Sequence, residues 1–189
     1  LNGTIICDTH DKEDRNIGKQ NCMQWLNQGE NLLIFPEGAW NVTENLPVMP
    51  LFTGAAEMAI CTGAEIVPIA FEKFGKNFYV NIGANISPKN FVLEQKQELT
   101  DMLRDRLATL KWELWEMQPR ESRKEIPDGY IEEYLKGFTD QMIDGSYSLE
   151  AIEMTRFHTK AEREQKEVNA HLEKLNPRME NAFLFRKRF

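Results

Sequence analysis

Apolar residues follow two rhythms along this chain. Through about residue 85 they gather into short runs: Thr4-Ile-Ile-Cys7, Leu32-Leu-Ile-Phe35, Ile66-Val-Pro-Ile-Ala70 and Phe78-Tyr-Val-Asn-Ile82. Runs this short, bounded by Gly, Pro, Asp or Asn, read as strands, and Leu32–Phe35, with no polar face, reads as a strand buried on both sides. Between the runs, residues 11–28 carry Asp11 and Asp14 at the start and Gly29 past the end, and Gly54–Thr62 is built of small residues. Both read as helices, the second able to pack closely on a sheet. The alternation of strand and helix predicts an α/β fold, a layered mixed or largely parallel sheet flanked by helices. Pro68 belongs at a strand end or bulge, because it has no N–H to give to a ladder.

After Ser87-Pro88 the rhythm changes. Leu99, Leu103, Leu107, Leu110 and Leu114 recur at three- and four-residue spacing, which predicts an amphipathic helix to about Met117. The charged stretch from Pro119 to Pro127 reads as a linker, followed by helical patterns at about 128–144 and 149–175, the second mostly a solvated face. The expected organisation is therefore an α/β domain over 1–118 and a carboxyl-terminal helical extension over 119–189.

Composition narrows the function classes. With 189 residues and 41% hydrophobic content the chain can bury a real core. A net charge of −7 argues against a general nucleic-acid binder, which needs a basic face to neutralise phosphates. No run approaches the roughly eighteen apolar residues of a membrane span. Cys7, Cys22 and Cys61 match no metal or disulfide spacing and read as reduced core thiols of a cytosolic protein.

Candidate chemistry lies where the apolar run Leu32–Phe35 meets Pro36, Glu37 and Gly38. Pro36 ends any ladder, Gly38 permits a tight turn, and Glu37 is left at the carboxyl end of the expected strand, where open α/β sheets bind ligands. Together with Gly3-Thr-Ile-Ile-Cys-Asp8 before it, and Gly54-Ala-Ala-Glu-Met-Ala59 and Ile66-Val-Pro-Ile-Ala70 after it, Phe35-Pro-Glu-Gly38 resembles the glycerolipid acyltransferases, the lysophospholipid and 1-acylglycerol-3-phosphate acyltransferase family. The resemblance covers roughly residues 1–85.

It implies transfer of a fatty acyl group from acyl-coenzyme A or acyl carrier protein, as co-substrate and with no other cofactor, to a hydroxyl acceptor in glycerolipid synthesis. The implied partners are the acyl thioester and a lipid acceptor. The implied place is the cytoplasm at the inner face of the membrane, with peripheral membrane contact. An exposed sheet edge would also allow a homo-oligomer. The substrate-binding candidates are Thr9, Pro36, Glu37, Gly38 and Trp40. Glu37 is implied to contact the acceptor or to order its loop by accepting hydrogen bonds, and Trp40 to line a groove or to cap the core.

Departures from the family pattern matter as much. Its catalytic signature, an Asn-His pair with an Asp five positions after the His, is absent: the residues five beyond His10, His158 and His171 are Arg15, Arg163 and Asn176. The chain reads as the carboxyl-terminal part of an acyltransferase, with no catalytic residue identified, and is expected to be inactive by itself. The alternative is a non-catalytic relative that binds lipid or protein. Thr9, Trp40 and Phe52-Thr53 stand where the family places cations, and neither Thr nor Trp can grip a phosphate as a guanidinium does. Either the acceptor carries no phosphate, or His10, Lys12 and Arg15 reach it from a shifted loop; the plainer reading of those three is a polar helix start. The terminal Phe183-Leu-Phe-Arg-Lys-Arg-Phe189 could meet a lipid interface or fold back on the domain.

Overall fold

The structure, a computed structural model, describes residues 3–8, 11–43, 46–74, 76–119, 125–140 and 148–174. The chain divides into two compact units, 1–157 and 158–189.

Helix α1 (Lys12–Asn27) begins where Asp11 accepts the backbone N–H groups of Glu13 and Asp14, and the chain turns away beyond it at Gly29 with φ +86°. Helix α2 (Gly54–Thr62) buries Ala55, Ala56, Met58 and Ala59 and stops at Gly63, which takes φ +73°. Its small residues let it lie closely between α1 and the long helix α3 (Lys96–Glu116). α3 buries Leu99, Leu103, Leu110 and Leu114, the stripe that the leucine spacing predicts.

Strands β1 (Ile69–Phe74) and β2 (Asn77–Ile82) form an antiparallel hairpin with Phe71 opposite Val80. Pro68, fully buried, stands one residue before β1, and its carbonyl accepts the Gly83 N–H; it interrupts the ladder at the strand end, and the pairing resumes beyond it as an antiparallel bridge between Ile66 and Ile86. The hairpin rests on α3 through Ala70, Leu110 and Leu114, while Val48, Leu51, Ala55, Ala56, Ile86, Leu99 and Leu103 form the main core.

Helices combined with a small sheet agree with the α/β expectation in its coarse form. The layered, largely parallel sheet does not appear: among the described residues the named sheet has two strands, and they are antiparallel. The runs at 4–7 and 32–35 enter no ladder, and Leu33 and Phe35 are 75% and 63% exposed rather than buried on both sides. An apolar run specifies burial only if neighbours supply hydrogen bonds and cover, and β1 and β2 are engaged with each other. Cys61 is likewise exposed instead of in the core, because it occupies the outward side of α2, whereas Cys7 and Cys22 are half-buried.

Later in the chain, α4 (Tyr130–Asp140) falls within the helical pattern expected from 128, and the part of that pattern past 140 is outside the described residues. The single helix expected over 149–175 is two, α5 (Leu149–Thr155) and α6 (Lys160–Glu173). The second starts at a reciprocal cap: Thr159 Oγ1 accepts the Glu162 N–H at 3.2 Å and Glu162 accepts the Thr159 N–H at 2.7 Å. Among the described residues no helix is long and apolar enough to cross a membrane.

Candidate active site

The Phe35–Gly38 turn is closed by the Gly38 N–H donating to the Phe35 carbonyl at 3.1 Å. Pro36 presets the entry to the turn, and Gly38 leaves it at φ +68°, a conformation other residues resist. The turn is pinned to the segment before α2 by the Phe52 N–H, which donates to the Pro36 carbonyl at 2.9 Å.

Glu37 points into this junction. Its carboxylate accepts the Met49 N–H at 2.8 Å, and Asn41 is a further side-chain partner. Burial pushes its pKa up; the Met49 N–H, then the charges of Lys111 and Arg104, then Asn41 act in the opposite direction without cancelling it. Asn41 organises the rest of the loop: its Nδ2 donates to the Leu46 carbonyl at 2.9 Å, while its Oδ1 accepts from Thr43 N and Oγ1 at 3.1 and 2.6 Å.

A second layer comes from α3. Arg104 Nε and Nη2 donate to the carbonyls of Met49 and Val48 at 3.3 and 3.2 Å. About two turns further along the same helix, Lys111 pairs with Glu72 at 2.8 Å and donates to the Phe71 carbonyl at 2.9 Å. Glu72 also accepts the Trp115 indole N–H at 2.8 Å, so β1 is tied to the same helix that steadies the turn. Aromatic rings flank the loop. Phe35 meets Phe71 edge to face at 6.2 Å between centroids, and Phe52 lies 5.3 Å from Phe157.

Of the residues singled out from sequence, the structure brings Pro36, Glu37 and Gly38 into one turn. Trp40 follows on the loop, 53% exposed, so its ring does not cap the core. Thr9 and His10 lie outside the described residues, as does the terminal 183–189 segment. Lys12 and Arg15 stand exposed on the first turns of α1, where Asp11 provides the cap. Sequence reasoning did not single out Met49, Arg104 or Lys111. The only signal for them was indirect: Pro47 and Pro50 bracket Val48 and Met49, so this stretch can join neither helix nor sheet, and its carbonyls need side-chain donors. Among the described residues no cluster of His, Cys, Asp and Glu is suited to a metal ion.

A half-buried carboxylate on a hydrogen-bonded turn, flanked by exposed aromatic surface, can accept a hydrogen bond from a hydroxyl or hold the loop that does. Residues 1–72, a segment that contains the whole turn and α2, match the model of the Acyltransferase family. This match agrees with the resemblance to glycerolipid acyltransferases that the sequence motifs carry. Searches of curated proteins and of solved structures gave no significant match.

Proposed function

We propose that this chain forms the acceptor side of a fatty acyltransferase, in which the Phe35–Gly38 turn presents a hydroxyl-bearing lipid to an acyl thioester of coenzyme A or acyl carrier protein. The supporting observation is the half-buried Glu37 carboxylate, fixed by the Met49 N–H within the segment that matches the family. Acyl transfer to a hydroxyl needs a base to remove its proton and donors to hold the tetrahedral oxyanion. Neither an Asn-His pair nor an Asp at the required spacing occurs in these 189 residues, so transfer requires a segment that carries them. Glu37 then orients the acceptor and its loop rather than taking the proton.

The acceptor we infer lacks a phosphate beside the reacting hydroxyl, because Thr9, Trp40 and Phe52-Thr53 leave no guanidinium fork where the family places its cations. The flanking apolar surface suits work at the inner face of a membrane as a peripheral protein.

The test supplies a segment bearing the Asn-His and Asp pattern, fused or in trans, and compares kcat/KM for 1-oleoylglycerol and lysophosphatidate with palmitoyl-coenzyme A as donor. A preference for the neutral acceptor that Glu37→Gln reduces is the expected outcome. A preference for lysophosphatidate that Arg15→Ala removes would assign the phosphate to α1 instead. Binding of both lipids with no turnover under any complementation would favour a non-catalytic lipid-binding relative.

A further inference from the structure

We propose that Arg104, on α3 and outside the family-matched residues, is the positioning residue for the acceptor loop: it holds the Val48–Met49 carbonyls so that the Met49 N–H meets the Glu37 carboxylate. The proposal rests on the acceptor-side reading of the Phe35–Gly38 turn, and it adds the residue that sets that turn's geometry.

The argument begins with the prolines. Pro47 and Pro50 have no N–H, and each biases the residue before it, Leu46 and Met49, towards extended backbone. The stretch 46–50 therefore cannot satisfy itself by helix or ladder. Yet it is buried, with Val48 and Met49 at 5% and 1% exposure, so its carbonyls need partners from elsewhere. Arg104 meets both with two donors of one planar fork. A lysine at the same place offers one point charge and cannot span two successive carbonyls in this way.

The consequence for the site is a chain of three contacts. Arg104 fixes the 48–49 peptides, the Met49 N–H fixes Glu37, and the Phe52 N–H fixes Pro36. α3 is independently anchored to the core by Leu99, Leu103 and Leu110 on either side of Arg104, so the fork has a rigid base. Lys96, one end of the same helix, also reaches Glu57 on α2 at 3.2 Å, which keeps α3 in place when Arg104 is replaced.

The experiment uses the full chain with Arg104→Gln and Arg104→Lys, and reads amide hydrogen exchange by NMR together with binding of two probes, 1-oleoylglycerol in mixed micelles and palmitoyl-coenzyme A. In the Gln variant, exchange at Met49 and Phe52 is expected to rise roughly tenfold or more, with the α2 amides of Ala59 and Ile60 unchanged, and the Lys variant is expected to fall between. Affinity for 1-oleoylglycerol is expected to weaken by about tenfold while that for palmitoyl-coenzyme A holds, because the loop and not the whole domain has lost its geometry. Unchanged exchange at Met49 and Phe52, or exchange rising equally throughout α2, overturns the assignment. So does an equal loss of affinity for both probes, which would mark Arg104 as a general stabiliser. If wild-type protein binds neither probe, the acceptor-side reading fails, and the exchange data alone decide whether Arg104 positions the turn.

Discussion

A Cβ built on Gly38 would lie 2.5 Å from Cε2 and 2.9 Å from Cδ2 of the Phe52 ring. This contact shows why the turn after Pro36 admits only glycine: the backbone is left-handed there, and the space a side chain would occupy belongs to an aromatic ring packed against Phe157. Gly38→Ala is expected to destabilise the fold by roughly 2–4 kcal/mol, combining left-handed strain with overpacking. Urea unfolding of the single variant and of Gly38→Ala/Phe52→Leu checks it, since removing the ring should restore the steric part and leave the strain. A loss below roughly 0.5 kcal/mol, the size of an ordinary surface change, would contradict the geometry.

Glu37 makes stability depend on pH in a direction opposite to most carboxylates. Burial raises its pKa above the ordinary value of 4.5, so the folded state keeps the proton at pH values where the unfolded chain has lost it. The contribution is therefore fully present below about pH 4.5 and declines as pH climbs through the raised folded value. Glu37→Gln removes the titration while keeping an oxygen for the Met49 N–H. Melting temperatures of the two proteins at pH 4 and pH 7 should show the wild type losing ground to the Gln variant as pH rises; parallel curves would show that the carboxyl is better solvated than the structure indicates.

Glu57 has the opposite sign. A hydrogen bond from Lys19 at 2.6 Å, with burial opposing and Lys96 adding at 3.2 Å, holds its pKa below 4.5. Its stabilisation is present above pH 4.5 and is lost as pH falls through the lowered folded value. Because both lysines are partly solvated, the pair of bridges is worth about 1 kcal/mol after screening. Glu57→Gln should lose that much at pH 7 and little at pH 3 in urea titrations. A loss that persists at pH 3 would assign the effect to packing among α1, α2 and α3.

Thr159→Ala removes the oxygen that accepts the Glu162 N–H and unseats the Glu162 side chain from the Thr159 N–H. The expected outcome is a loss of about 1 kcal/mol in the stability of the first turn of α6, seen as faster amide exchange at Glu162 and Arg163. Unaltered exchange at those amides would mean that α6 does not depend on this cap.

The elements that the chain dictates by itself are those whose signals are local. The leucine stripe of α3, the acidic start of α1, the Gly63 stop of α2 and the proline ahead of β1 all lie within a few residues of what they control. The Phe35–Gly38 turn belongs with them, because a proline and a glycine two positions apart carry their own backbone preferences. The Thr159-to-Glu162 cap was equally legible, and it divides what the charge pattern alone joins into one helix. Tertiary structure decided the rest. Whether Leu32–Phe35 becomes a buried strand depends on a ladder and a cover that an apolar run cannot specify, and here Leu33 and Phe35 remain exposed. The partners of Glu37 could not be read in advance either: Met49 is twelve positions away, and Arg104 is a further fifty-five. Nothing in residue type distinguishes Arg104 from Arg106 two positions on; only the packing of Leu99, Leu103 and Leu110 turns one guanidinium towards the proline-bounded carbonyls of Val48 and Met49.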